Sequence, residues 1–322
     1  MIKKLIASIG LILFLVPAIA ANAQVFDPAE QVKVINAAAA VIESRYVDAK
    51  QAHEIAEALR RSQDRWKQPL GGEEFAREAS AFLRSISNDG HMGLSYSRKE
   101  IPNDGGEAAF SASEMERWYG AQVNHGVEKI ERLAGNVILV DLRVFPPPSM
   151  AGDVFAAAMT VAAQGDALII DLRQNGGGLE TNNLLTGYLL EGGSALSGSY
   201  NRPTDTRTYA TSPAWVPGRR FGSTKPLYIL TSRKTFSAAE AVAYDLQALK
   251  RAVIVGETTG GGANPFEYRR IHSHFAVNLP ESRSINPITG TNWQGIGVKP
   301  DVEVPAEQAL NKALELIAAR LN

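Results

Sequence analysis

Between residues 137 and 255 short apolar runs alternate with stretches of helical spacing, and that alternation restricts the fold more than any other feature. The runs at 137–142, 167–172, 227–230 and 252–255 read as strands buried on both faces. Helices are expected between them, near 150–164, 180–190 and 238–249. Strands separated by helices predict an α/β core around a largely buried sheet, with an α+β arrangement as the alternative. Residues 27–87 differ. Val32, Ile35, Ala39 and Ile42 share one helical face, and Ile55, Leu59, Phe75, Ala79, Leu83 and Ile86 continue at helical spacing, so a small helical bundle is expected there. Pro69, Leu70, Gly71 and Gly72 read as a loop within it, and the stretch 87–90 (Ser-Asn-Asp-Gly) as its end. A linker at 102–106 then suggests a helical domain over 24–103 and a core domain over 104–322. The Gly-, Ser-, Thr- and Arg-rich stretch 194–223 reads as a long loop or irregular hairpin.

The first 23 residues are set aside from the fold. Lys3 and Lys4 precede an apolar run over 5–19, and Ala21, Asn22 and Ala23 offer a small-residue cleavage site, the pattern of a secretory signal peptide. The expectation is therefore an exported protein, periplasmic or secreted, with no membrane span in its mature form. Removing Lys3 and Lys4 takes the formal charge from −1 to −3, which gives no electrostatic footprint for nucleic acid. The absence of cysteine excludes disulfides, thiolate catalysis and thiolate metal sites together.

Chemistry is expected where strands end. Ser237 falls between the strand ending near Thr231 and the helix starting at Ala238, at or beside an N-cap, and Glu240 three residues later completes a capping-box pattern. On these residues alone capping accounts for the serine. The strand 167–172 runs into Gly176, Gly177 and Gly178, whose backbone N–H groups could converge on an anion or a developing oxyanion. A tight turn is the bland alternative, and neither the phosphate-loop nor the dinucleotide glycine spacing fits. His91, in the turn after Asp89 and Gly90, is a candidate base. His272 and His274 have strand spacing that would put both rings on one face, but no further ligand completes a metal site.

Four segments occur in one order: Asp171-Leu172-Arg173-Gln174-Asn175-Gly176-Gly177-Gly178, Thr235-Phe236-Ser237-Ala238-Ala239-Glu240, Val255-Gly256-Glu257-Thr258-Thr259-Gly260-Gly261-Gly262, and Gly295-Ile296-Gly297-Val298-Lys299-Pro300-Asp301. In that order they resemble the S41 peptidases, the tail-specific or C-terminal-processing proteases and their relatives. The resemblance implies a ClpP/crotonase-like α/β core after the helical bundle. It is closer to the branch of the tricorn core and the interphotoreceptor retinoid-binding protein repeats. The processing-protease branch activates its serine with a lysine after the Gly-Glu strand, where this chain has Gly260, Gly261 and Gly262. No peptide-binding PDZ insert is evident between His91 and Asn136, and the Asp-x-His motif of the tricorn-like branch matches Asp89-Gly90-His91.

Carried over, the resemblance implies Ser237 as nucleophile and His91 as general base. Oxyanion donors would be the Ala238 N–H and an N–H from Gly177 or Gly178. Relatives often have Asn-Trp-Glu-Gly where this chain has Asn292-Trp293-Gln294-Gly295, so Gln294 stands where a glutamate would orient the network. The implied protein is an exported serine peptidase acting on peptides or unfolded polypeptides without metal or organic cofactor. A non-catalytic peptide- or hydrophobic-ligand-binding protein on the same fold is the alternative. An esterase using the same acyl chemistry is a third reading, although no Gly-x-Ser-x-Gly surrounds Ser237.

Overall fold

The computed structural model describes residues 24–103 and 112–321. The leader reading and most of the 102–106 linker lie outside the described residues. The described chain begins with strand β1 (Val25–Phe26), helices α1 (Pro28–Arg45) and α2 (Ala49–Arg61), strand β2 (Leu70–Gly71), helix α3 (Gly72–Ser87) and strand β3 (Gly93–Tyr96). Helix α4 (Ala112–Tyr119) and strand β4 (Val127–Leu133) lead to β5 (Val137–Leu142), α5 (Pro148–Ala162), β6 (Ala167–Asp171) and α6 (Thr181–Leu189). There follow β7 (Ala195–Asn201), β8 (Thr206–Thr211), β9 (Leu227–Thr231), α7 (Ala238–Ala248) and β10 (Val253–Gly256). Strands β11 (Phe266–Arg270), β12 (Phe275–Pro280), β13 (Ser282–Ile285) and β14 (Val302–Glu303) and helix α8 (Ala309–Leu321) complete it.

The core is a six-stranded sheet in the order β14-β10-β9-β6-β5-β4, parallel except for the antiparallel edge strand β4. Alternate residues of the central strands serve two helical layers, as the two-residue period of a strand requires. Ile138, Val140, Leu168, Ile170 and Ile229 pack with α5, α6 and α7, while Val137, Leu139, Ile169, Tyr228 and Leu230 pack with α8. Burial on both faces explains the unbroken apolar runs. The expected strands and helices all form, with ends shifted by one or two residues.

Helix caps set the bundle. Asp27 and Asp48 accept from the N–H groups of Glu30 and Gln51, which start α1 and α2, and Asn88 in the left-handed region ends α3. The Leu70 and Gly71 segment, expected as loop, instead pairs antiparallel with β1. The stretch 194–223 contains the β7 and β8 hairpin, to which β13 adds a third strand.

The helical unit does not close its own core. Phe26, Ile35, Ile42, Ile55, Leu59, Phe75 and Leu83 bury against Phe275, Val277 and Leu279 of β12, which pairs with β3. Packing therefore crosses the sequence boundary drawn at residue 103. This seam joins the turn after α3 to the ends of the core strands. Among the described residues no helix is long and apolar enough to cross a membrane.

Candidate active site

Parallel strands β6 and β9 lie side by side, so the turns at their carboxyl ends meet. Asn175 clamps them. Its Nδ2 donates to the Leu142 carbonyl at 3.1 Å, its Oδ1 accepts the Gly177 N–H at 2.8 Å, and its carbonyl accepts the Phe236 N–H at 3.0 Å. Ser237 then takes a backbone conformation of φ 54° and ψ −121°. That geometry is unusual for a side chain bearing Cβ and is the kind of strained strand-to-helix turn that presents a nucleophile. A Cβ on Gly177 would lie 2.7 Å from Ser237 Cβ, and one on Gly178 only 2.1 Å from the Phe145 carbonyl oxygen. Both glycines have positive φ, so each position needs glycine. Gly178→Ala is expected to lower unfolding stability by about 2 kcal/mol or more, measured by urea denaturation.

The turn after α3 brings His91 to the same point. His91 Nε2 lies 3.0 Å from Ser237 Oγ, although 146 positions separate the two residues. The ring is buried, tilted against Phe236 at 4.7 Å and against Phe266 at 5.6 Å between ring centres. Gly262 forms the remaining wall, where a Cβ would sit 2.8 Å from His91 Cε1, so no side chain fits. The imidazole thus packs directly against the glycine loop. Burial holds the His91 pKa below its ordinary value, and the charge of Asp89 opposes this only in part.

Glu240 organises the loop. Fully buried, it accepts from the Ser237 N–H at 2.8 Å, from Thr259 Oγ1 at 2.5 Å and from the Gly261 and Gly262 N–H groups at 2.7 Å each. The capping-box glutamate thereby ties the Ser237 turn to the wall behind His91. Burial raises its carboxyl pKa, against the pull of these four bonds.

Two amides remain uncommitted where an oxyanion would sit. Among the described residues neither the Ala238 N–H nor the Gly178 N–H has an intramolecular acceptor, whereas the Gly177 N–H is taken by Asn175. Of the two glycine alternatives only Gly178 has its donor available. Gln294 lies elsewhere in the network: its Oε1 accepts from the Ala263 and Asn264 N–H groups at 2.8 and 3.2 Å, and Ser237 is the one hydrogen-bond partner of the His91 ring. Its carbonyl oxygen does work that a glutamate could also do, but that work is on the loop backbone.

His91, Ser237, Ala238 and Gly178 share a cavity of about 230 Å³ with Leu179, Asn182, Ala241 and Trp293. A second cavity of about 260 Å³ shares Asn182, Ala241 and Ser284 with it, so the groove continues past the serine. A larger cavity, about 570 Å³ beside Arg233, Glu257 and Glu303, contains neither His91 nor Ser237. His272 and His274 occupy the turn between β11 and β12 rather than a strand; His272 contacts Glu30 and His274 the Ser97 carbonyl. Among the described residues no group of three or more His, Asp or Glu side chains is arranged to hold a metal.

Residues 139–304 match the model of peptidase family S41. The chain belongs to that family. A carboxy-terminal-processing protease of Bartonella bacilliformis is 28% identical over 137 residues, 42% of this chain and 30% of its own. The chloroplastic C-terminal processing peptidase of Tetradesmus obliquus is 30% identical over 150 residues, 46% of this chain and 31% of its own. The matches thus cover less than a third of these curated relatives. The crystal structure of the tricorn protease superposes with a TM-score of 0.60 over 92% of this chain and 37% of the other at 13% identity, which shows a shared fold. The α/β architecture of this S41 chain is therefore that of its family.

Proposed function

We propose that this S41 chain is a serine-type peptidase that cleaves peptides or unfolded polypeptides through an acyl-enzyme on Ser237. The observation that carries this reading is the 3.0 Å approach of His91 Nε2 to Ser237 Oγ at a strained turn. A serine hydroxyl is a weak nucleophile at neutral pH, and an imidazole within hydrogen-bond reach corrects that. As Oγ attacks the peptide carbonyl carbon, its proton passes to Nε2. The resulting oxyanion is met by the Ala238 and Gly178 N–H groups, and the imidazolium then returns the proton to the leaving amine. Water repeats the sequence to release the acid. The open groove suits an extended chain, and the leader pattern makes an exported compartment, periplasmic or extracellular, the place of action.

Incubating the protein with unfolded casein and reading the products by mass spectrometry tests the proposal. Discrete internal cleavages are expected; intact casein would favour a protein that binds without cutting. The pH dependence gives a second expectation. His91 must be neutral to accept a proton, and its pKa lies below the ordinary 6.5. The acid limb of kcat/KM is therefore expected below that value. Stability follows the same sign: in the unfolded chain His91 binds its proton more readily, so folding stability falls as pH drops from 6.5 towards the depressed value.

A further inference from the structure

A base needs its other ring nitrogen held, and in this site that nitrogen is His91 Nδ1. It is buried and has no hydrogen-bond partner. Three side chains around the site could in principle face it. Glu240 is saturated by four donors, and Gln294 is engaged on two loop amides. Asp89 is different. It is 1% exposed, and its Oδ1 lies 3.9 Å from His91 Nδ1 while accepting the His91 backbone N–H at 3.0 Å. Its Oδ2 is fixed from two directions, by the Tyr46 hydroxyl at 3.2 Å and by Asn264 Nδ2 at 3.1 Å. One anchor comes from the end of α1 and the other from the loop after the glycines, so both halves of the seam hold one carboxylate.

We infer that Asp89 is the positioning residue of the His91 base, an anion anchored by Tyr46 and Asn264 that sets the tautomer of the imidazole and stabilises its cation. This inference rests on Ser237 and His91 acting as nucleophile and base. An anion beside Nδ1 favours the neutral tautomer with its proton on that nitrogen, which leaves Nε2 with the lone pair that Ser237 Oγ–H needs. When the serine proton arrives at Nε2, the positive charge forms beside Asp89, and a small rotation of the ring shortens the gap to a hydrogen bond. The other groups facing the ring, Phe236, Ser237, Gly262 and Phe266, carry no charge. Asp89 is thus the carboxylate available to oppose the desolvation of His91.

The test compares wild type, Asp89→Asn and Tyr46→Phe by an NMR titration of the His91 imidazole, together with kcat and KM against pH on the casein-derived peptides. In Asp89→Asn the His91 midpoint is expected to fall by about one unit, because the stabilising charge is lost. kcat should drop at least about tenfold with KM little changed. Tyr46→Phe loosens the anchor but keeps the charge, so its midpoint should stay near wild type and its loss of kcat should be smaller. An unmoved His91 midpoint in Asp89→Asn would overturn the inference, as would equal losses of kcat in the two variants with neither midpoint displaced. If no protein cleaves peptide yet the midpoint falls in Asp89→Asn, the peptidase reading fails while the hold of Asp89 on His91 stands.

Discussion

Ser237→Ala is expected to lower kcat/KM on unfolded casein by on the order of 10⁴-fold or more, with the protein still folded. The alanine removes the one oxygen within reach of His91 Nε2. It leaves the Asn175 clamp and the two free amides as they are. His91→Ala should cost a comparable factor, and the double variant little more than either, because the pair acts as one unit. Additive losses would mean that the two residues serve separate steps. The turn supplies a control on folding. Alanine inherits the strained φ of 54°, which glycine relieves, so Ser237→Gly should be inactive yet about 1 kcal/mol more stable than Ser237→Ala. Urea denaturation of both variants checks that difference.

Glu240→Ala is expected to be the most damaging change to stability near the site, by about 3–5 kcal/mol. It strands three backbone N–H groups, those of Ser237, Gly261 and Gly262, together with the Thr259 hydroxyl. Each buried donor left without an acceptor costs about 1 kcal/mol or more, and water cannot easily reach a position that is fully buried. Because Gly262 walls the His91 ring, activity should fall with stability. Glu240→Gln fills the volume but turns two donors of its own towards donors, so its loss should be intermediate or nearly as large. Urea midpoints of the three proteins measure the series. An alanine variant within about 1 kcal/mol of wild type would show that the glycine loop holds its shape without this carboxylate.

The core elements were legible because their residues are buried on both faces or capped by their own neighbours. Ile138 and Val140 alternate with Leu139 between two helical layers, and Asp27 and Asn88 mark helix ends through contacts a few residues long. What depends on distant pairing was not legible. Strand β11 is half-buried, with Glu267, Arg269 and Arg270 among its five residues, and has no strong apolar signature. Phe275, Val277 and Leu279 join a core only where β3 and the helical unit meet them. His272 and His274 have strand spacing but lie in a turn.

The site divides in the same way. Ser237 and the glycines could be marked from local turns, and Glu240 from its spacing, though a capping pattern gives no hint of the bonds to Gly261 and Gly262. The distance from His91 to Ser237 exists only in the fold. Asn175 stood in a recognisable motif, but its clamp on Leu142 and Phe236 did not show there, and Tyr46 and Asn264 carried no signal beyond residue type, since Asp89 lies 43 and 175 positions from them. Gln294 sits on loop amides because the backbone of Ala263 and Asn264 turns its N–H groups that way, a geometry that side-chain identity does not encode.

Trapping the nucleophile tests the central claim most directly. Wild-type protein and His91→Ala are treated with a fluorophosphonate, digested and mapped by mass spectrometry. The account predicts a covalent adduct on the Ser237 hydroxyl in wild type, formed at least about a hundredfold more slowly without His91. An unmodified Ser237 in folded wild type, or labelling at the same rate in His91→Ala, would contradict it.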